Sequence, residues 1–441
     1  MVKFLFGIAL ISYGFFRTLV HDPVWGLYLF AALTHIRLAQ LSENYYLPLQ
    51  IPIVIASLTV LLYLSSAKYP KKFNRWPLEV WLLGFIVVGM AYSSSKAAFN
   101  PQLSWDMTVT YFKYWVFFLL FIQLVDSFEK IKNFHNVLIL SACWLVYRCY
   151  DLRGTTGARF ENINGGSIGD SNHFAAALVL LFPFVFQRVL SKNKTEALFA
   201  GVLCFGIIMS VVITGSRGGL LGLGVLFLLL FMNLKQYRKK MLMALVVLCL
   251  TVSPFINDYH ISRFKSLVEA TQEDTRERSA QSRLDFWRYS FELFKNNPVS
   301  GIGLANFGYY SGPALEGMEP GQRGHVAHST WFEILAEGGA LVFIPFVVLL
   351  VIFFRKTKRI LKVYLANNLI QEAQHVIALR VGLGAFLVNA TFLNRLIYEP
   401  IYWCIALGIA HGYLVKSREA ALIPVNCDHA ETPNAHKTVS G

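Results

Sequence analysis

Apolar runs long enough to cross a lipid bilayer recur along most of this chain. A transmembrane helix needs about 20 consecutive apolar residues, whereas a membrane-spanning strand needs only about 10 alternating ones, and the chain shows the first pattern and not the second. Hydrophobic residues make up 55% of the 441 positions, and charged residues only 15%. The candidate spans lie near residues 47–65, 78–95, 108–125, 134–149, 173–190, 197–214, 218–234, 241–257, 331–354, 376–393 and 398–415, with one or two shorter segments before residue 38.

This pattern predicts an all-α fold, a polytopic transmembrane helical bundle of about 12 spans. We expect N-terminal transmembrane helices over 1–257, a periplasmic segment with amphipathic helices and part of the candidate site over 258–330, and C-terminal transmembrane helices over 331–415. Residues 416–441 are polar, without apolar periodicity, and we expect a disordered cytoplasmic tail. Residues 4–16 continue into further spans, so we interpret them as a membrane segment and not as a cleaved signal peptide.

Clusters of Lys and Arg indicate which loops face the cytoplasm, because cytoplasmic loops collect positive charge. The net charge of +14 is partly explained in this way. The clusters lie between or after the apolar runs, at 68–75, 130–132, 192–194, 235–240, 355–362 and 416–418. With all of them in the cytoplasm, the loop 150–172, the turn 215–219 and the segment 258–328 lie on the opposite, periplasmic side. The side on which the N-terminus lies stays open.

The stretch VVITGSRGGLLG, residues 211–222, must contain a turn. An unbroken helix over 197–234 would be roughly 57 Å long, nearly twice the hydrocarbon thickness. The glycines therefore place Arg217 at the periplasmic tip between two spans, where its planar guanidinium suits bidentate binding of a phosphate. The alternative is an interfacial arginine that extends to lipid head groups.

An amphipathic helix is expected within the periplasmic segment. Four apolar residues recur at helical spacing after a Ser282-x-x-Asp285 capping signature: Leu284, Trp287, Phe291 and Phe294. Arg283 would open this helix, where a positive charge opposes the helix dipole, and that mismatch favours a functional role. Arg288 flanks the apolar stripe. For both arginines the alternative is a surface ion pair with Asp285 or Glu292.

A histidine stands directly before a membrane span in GHVAHSTWFEILAEGGALVFIPF, residues 324–346. A Thr-x-x-Glu box at Thr330 and Glu333 predicts a helix start with Thr330 as the N-cap. His328 would then lie at the periplasmic mouth of the bundle, where an imidazole suits a general base for a hydroxyl; the alternative is a polar cap. Lys113, near the periplasmic end of its span, faces either a water-filled cavity or the nearer interface.

Several catalytic motifs are absent from the sequence. We find no DxD pair, Walker loop, HExxH or GxSxG, and GIGLAN lacks the third glycine and preceding strand of a dinucleotide site. The six cysteines form no CxxC pair. These absences, with the basic candidates, favour a metal-free reaction on a phosphate-bearing lipid, with no cofactor, no metal site and no nucleic-acid partner.

Four stretches together resemble the bacterial O-antigen ligase and O-antigen polymerase superfamily. They are GDSNHFAAALVLLFPF, VITGSRGGLLGL, QSRLDFWRYSFELFKNNPVSGIGLANF and AHSTWFEILAEGGALVFIPF, and the resemblance covers roughly residues 75–400. The sequences of these stretches most resemble those of an exosortase-associated branch of O-glycosylation ligase-like proteins. The sequence departs from many relatives at HST, where they have His-Asn, which puts the contacts next to His328 in doubt.

The resemblance implies a multi-pass protein of the bacterial inner membrane, a metal-independent, inverting glycosyltransferase of the GT-C type. The implied donor is a glycan on undecaprenyl pyrophosphate, and the implied acceptor is lipid A-core on the periplasmic face. By family position His328 is the catalytic base, and Arg217 and Arg283 hold the pyrophosphate. We expect further substrate contacts from Lys113, Arg288, Arg159, Asn172, Arg323 and His325.

Three alternatives stay open. A polymerase would transfer the glycan to a second lipid-linked glycan, and a protein O-oligosaccharyltransferase would transfer it to a polypeptide hydroxyl. A transporter of the lipid-linked glycan would line a path with the basic residues. Transporters commonly show internal repeats, and none is visible here, so an enzyme with a fixed site is favoured.

Overall fold

The computed structural model describes residues 2–36, 51–69, 76–152, 170–239, 241–242, 277–394 and 398–422. In the first half of the chain the helices are α1 (Val2–Val20), α2 (Val24–His35), α3 (Ile51–Ser65), α4 (Leu78–Ser94), α5 (Pro101–Leu124), α6 (Phe128–Asp151), α7 (Ser171–Val189), α8 (Lys194–Ile213) and α9 (Arg217–Asn233). In the second half they are α10 (Glu277–Asn296), α11 (Phe307–Glu316), α12 (Thr330–Ala366), α13 (Ile370–Ala390) and α14 (Glu399–Leu422). The described residues contain no strand, which confirms the all-helical fold.

Many of these helices are apolar enough to lie in a membrane. Within the described ranges, five are long enough to cross it: Pro101–Leu124, Ser171–Val189, Lys194–Ile213, Thr330–Ala366 and Ile370–Ala390. Shorter apolar helices are Leu5–Val20, Val24–His35, Val54–Ser65, Leu78–Ser94 and Arg217–Asn233. The protein is therefore a multi-pass membrane protein, and the number of about 12 spans stays a prediction. Most of the span expected at 241–257 lies outside the described residues.

Helices α7 and α13 form the centre of the bundle. Their apolar segments are more deeply buried than those of α5 and α8, and α13 packs against α7, α9 and α12. Short turns join α7 to α8, α8 to α9 and α12 to α13, so successive helices run in opposite directions. The first residues of α7, α9 and α12 therefore meet at one end of the bundle, together with the last residues of α13.

Ion pairs connect the basic clusters at the other end. Asp22, between α1 and α2, contacts Lys68 at 2.9 Å and Lys130 at 3.6 Å. Arg188, near the end of α7, contacts Glu196 at 2.8 Å. The end that carries these clusters is therefore opposite the end where α7, α9 and α12 begin.

Helix α12 is broken at Gly339, which has φ of 61°. In lipid a broken helix needs new partners for its backbone groups, and here the chain that follows α10 supplies them. The Ala340 N–H donates to Pro298 O at 2.9 Å, and the Ile302 N–H donates to Ala336 O at 3.0 Å. This contact fixes the end of α10 against α12.

A buried carboxylate continues the same attachment. Glu337 is only 6% exposed, and its two oxygens accept the N–H groups of Ala305 at 2.8 Å and Phe307 at 2.9 Å. Because Phe307 is the first residue of α11, Glu337 fixes the start of that helix. Helices α10 and α11 are thus held above the first turns of α12.

Three expected helix boundaries were wrong. Helix α10 begins at Glu277, so Ser282 and Asp285 lie inside it, and Arg283 does not stand at its N-terminus. The argument from the helix dipole therefore fails for Arg283. The N-cap of α12 is Ser329 and not Thr330, whose hydroxyl donates instead to Leu393 O at 2.6 Å. Helix α14 continues to Leu422, past the end at residue 415 that was expected for the last span.

Candidate active site

A cavity of about 770 Å³ opens where α7, α9 and α12 begin. One wall comes from the first residues of α7 and α9 and from the loop after α13; the other comes from α10, α11 and the chain before α12. The lining residues are Asn172, Gly215, Ser216, Arg217, Gly218, Gly219, Ser282, Arg283, Asp285, Phe286, Leu315, Glu316, His325, His328, Phe392 and Leu393. The cavity thus brings together Arg217, Arg283 and His328, which are far apart in the sequence.

Arg217 is placed by a turn that is held on two sides. Gly215 has φ of 62°, in the left-handed region that glycine adopts readily, and Ser216 caps α9 by accepting the Gly219 N–H at 3.0 Å. The Ser216 hydroxyl donates in turn to Asn172 Oδ1 at 2.8 Å. Arg217 is therefore the first residue of α9, as the predicted turn required, and Asn172 ties that turn to α7.

His328 has an unusual backbone for a residue with a side chain. Its φ of 49° lies in the left-handed region, where residues other than glycine are uncommon and often functional. The residues on either side, Ala327 and Ser329, are fully buried. Trp287 Nε1 donates to Ala327 O at 3.2 Å, which ties this segment to α10. These contacts hold the backbone of His328 in place beside the cavity.

The His328 imidazole is neutral at physiological pH. Burial lowers its pKa, and the positive charge of Arg283 lowers it further, to about 4. The neighbouring His325 and His173 act in the same direction, whereas the Asp170 carboxylate opposes them. A neutral imidazole can accept a proton, so this arrangement is compatible with a general base.

Two carboxylate–histidine pairs flank His328, and the sequence did not predict either of them. Asp170 caps α7 and contacts His173 Nδ1; burial raises its pKa, but hydrogen bonds from the His173 ring and from the Asn172 and His173 N–H groups lower it on balance. Glu316, at the end of α11, contacts His325 Nδ1 at 2.5 Å. The Asp-x-x-His spacing was a usable signal for the first pair. No sequence signal joins Glu316 to His325, because a turn brings them together.

Three other predicted site residues do not line the cavity. Lys113 lies exposed on α5, and Arg288 is 75% exposed and 3.5 Å from Asp285, the surface ion pair named as its alternative. Arg323 is exposed and lies 6.0 Å from the Tyr309 ring centroid. Arg159 lies outside the described residues.

Within the described ranges, no group of three or more His, Cys, Asp and Glu side chains has the arrangement of a metal site. Two carboxylates near the cavity contact histidines, in the Asp170–His173 and Glu316–His325 pairs, and Asp285 contacts Arg288. The cations that line the cavity wall are Arg217 and Arg283.

The fold and the cavity define a class of protein, a multi-pass helical membrane protein with a basic, histidine-containing site at one end of its bundle. Residues 201–347, about a third of the chain, match a family model described as O-Antigen ligase. This match supports the O-antigen ligase family and a glycosyltransferase of the ligase or polymerase type. It includes Arg217, Arg283 and His328, and it excludes Asn172 and Lys113. A comparison with curated proteins gave no match.

Proposed function

We propose that this protein transfers a glycan from undecaprenyl pyrophosphate to lipid A-core at the periplasmic face of the bacterial inner membrane. The observation that carries the proposal is the meeting of Arg217, Arg283 and His328 in one cavity, within the part of the chain that matches the O-antigen ligase family. A phosphate-binding pair of arginines beside a neutral imidazole has the groups that such a transfer requires. The proposed enzyme is metal-independent and of the GT-C type.

The transfer is a single displacement with inversion. The acceptor hydroxyl oxygen forms a bond to the anomeric carbon of the donor glycan, while the bond from that carbon to the pyrophosphate oxygen breaks. His328 takes the proton of the hydroxyl, and the bonding electrons leave with undecaprenyl pyrophosphate. The charges of the products then balance, since one proton is gained by His328 and one negative charge by the leaving group.

The pyrophosphate belongs at the start of α9. The N-terminus of a helix favours anions, because its first N–H groups and its dipole present positive charge. Arg217 is the first residue of α9, and Arg283 lines the opposite wall of the same cavity. Two guanidinium groups so placed oppose the charge that develops on the leaving oxygen, which is the role a metal ion plays in other transferases.

His328 is suited to the role of base through its charge state. Its pKa of about 4 keeps the ring unprotonated in the empty site at neutral pH. The bound pyrophosphate is negative and offsets the charge of Arg283, so it strengthens the imidazole as a base when the donor is present. The ring thus gains basicity in the complex that reacts.

The proposal is tested with purified protein in liposomes, a defined undecaprenyl-pyrophosphate glycan and three acceptors in parallel. The acceptors are lipid A-core, a second lipid-linked glycan and a polypeptide. We expect product on lipid A-core in the presence of EDTA, no product with His328→Ala, and the same expression and melting temperature for both proteins. Elongated lipid-linked glycan would indicate a polymerase, and glycosylated polypeptide a protein transferase. Transfer by His328→Ala would remove this residue from the role of base.

A further inference from the structure

The cavity has two chemically different walls. The α9 wall presents Arg217 and the helix N-terminus, which suit a phosphate. The α11 wall presents Glu316 and His325, and the Phe286 ring lies near both His325 and His328. The proposed function uses the arginines and His328, and it leaves the Glu316–His325 pair without a role.

The pair is built so that the histidine ring is held in one direction. Glu316 Oε1 accepts the backbone N–H of His325 at 2.7 Å, and Glu316 Oε2 lies 2.5 Å from His325 Nδ1. The Glu316 side chain is 15% exposed, whereas that of His325 is 66% exposed. A carboxylate on Nδ1 fixes the proton there, which leaves Nε2 as a hydrogen-bond acceptor for a ligand.

Three rings meet at this wall. The Phe286 ring centroid lies 6.3 Å from those of both His325 and His328, and the two histidine centroids are also 6.3 Å apart. Phe286 is only 6% exposed, so it packs against both imidazoles and keeps them side by side, and one sugar residue in the cavity can reach both rings.

We infer that Glu316 and His325 form the subsite that binds the acceptor sugar, with Phe286 packed against the rings of His325 and His328. His325 Nε2 accepts a hydrogen bond from one hydroxyl of the acceptor sugar while another hydroxyl lies at His328. Glu316 is a positioning residue, because it acts through His325. This inference rests on the proposed function and adds the residues that bind its acceptor.

Steady-state kinetics with donor and acceptor varied separately test the inference. We expect Glu316→Gln and His325→Phe to raise KM for lipid A-core by about tenfold, the loss of roughly one hydrogen bond, and to leave KM for the donor unchanged. Glu319→Gln is the matched control, since Glu319 is exposed on the same segment, outside the cavity lining, and bonds to Gln322 through its backbone. Its kinetics should equal those of the wild type.

A series of acceptors that each lack one hydroxyl adds a readout that a general loss of structure would not change. One deoxy acceptor should be poor for the wild-type protein, and that penalty should vanish in His325→Phe, because the hydrogen-bond partner of the missing hydroxyl is gone. Unchanged acceptor KM in both variants, an equal rise of donor and acceptor KM, or transfer only to a polypeptide would overturn the inference.

Binding separates this inference from the proposed function. Calorimetry with His328→Ala and core oligosaccharide measures the acceptor subsite without any transfer. If adding Glu316→Gln to His328→Ala lowers the affinity for core oligosaccharide about tenfold, the subsite is supported. That support holds even if the wild-type protein transfers no glycan, because the lack of transfer would contradict only the proposed function. Equal affinity of the single and double variants overturns the subsite.

Discussion

At the scale of single residues, the geometry of the Arg217 side chain matters as well as its charge. A guanidinium binds a phosphate through two parallel hydrogen bonds, whereas a lysine ammonium binds it only as a point charge. We therefore expect Arg217→Lys to lower kcat by about 100-fold, the usual effect of losing one donor at a developing charge, and Arg283→Ala to do the same. Arg288→Ala is the comparison variant, since Arg288 is exposed and paired with Asp285, and its loss should be much smaller. Full activity of Arg217→Lys would favour the interfacial alternative.

The charge of His328 gives a second prediction for single residues. The base must be neutral, so kcat/KM should fall as pH drops through the pKa of about 4 in the free protein. Arg283→Ala removes a positive neighbour, raises the His328 pKa and moves this acid limb to higher pH. Asp170→Asn removes a negative neighbour and moves it to lower pH. The pH profile of kcat/KM measures the direction of both shifts. An acid limb at the same pH in the two variants would show that a group other than His328 controls the profile.

The chemistry of single residues was partly predictable from the sequence. His328, Arg217, Arg283, Asn172 and His325 all line the cavity, because motifs in the chain carry them. Lys113 was chosen by its place in an apolar run, and a run does not say which side of a helix faces a cavity. Glu316 was not predictable, since its contact with His325 depends on the turn between them.

At the scale of helices, the close packing of α9 against α7 controls the position of Arg217. A Cβ at Gly219 would lie 2.5 Å from Ala175 Cβ on α7, so Gly219→Ala must move α9 away from α7. We expect a loss of about 1–3 kcal/mol in stability, the usual cost of overpacking, together with a marked loss of transfer.

Gly224→Ala is the matched control on the same helix, because a Cβ there meets nothing within 4 Å. Alanine is favoured over glycine inside a helix, so this variant should keep its activity and be up to about 1 kcal/mol more stable. Thermal unfolding in detergent and transfer assays on both variants make the comparison. Equal behaviour of the two would mean that the α7–α9 contact does not position the site.

The helices themselves were predictable because the bilayer sets their length. Helices α4, α7, α8 and α9 lie within a few residues of the expected spans, and the turn before Arg217 follows from the same constraint. The break at Gly339 was not predictable. The break depends on hydrogen bonds between α12 and backbone groups of residues 298–302, which lie about 40 residues earlier in the chain. Apolar periodicity does not predict such long-range pairing.

At the scale of the whole molecule, the cavity and the basic clusters lie at opposite ends of the bundle. Asp22, Lys68 and Lys130 mark one end, and the Asn172–Ser216 contact marks the other. If positive loops are cytoplasmic, the cavity opens to the periplasm, where the proposed acceptor is found. The sidedness of the cavity therefore decides which substrates can reach it.

Single cysteines introduced into a protein without its six native ones test this arrangement. Glu319 is exposed on the chain beside the cavity, and it is replaced in Glu319→Cys. Lys192 is exposed in a basic cluster near Arg188, and it is replaced in Lys192→Cys. We expect a maleimide that cannot cross the inner membrane to label Glu319→Cys in spheroplasts, and to label Lys192→Cys only after the membrane is opened. The reverse pattern would place the cavity in the cytoplasm, away from lipid A-core at the periplasmic face. It would contradict the proposed transfer even if Arg217 and His328 proved essential.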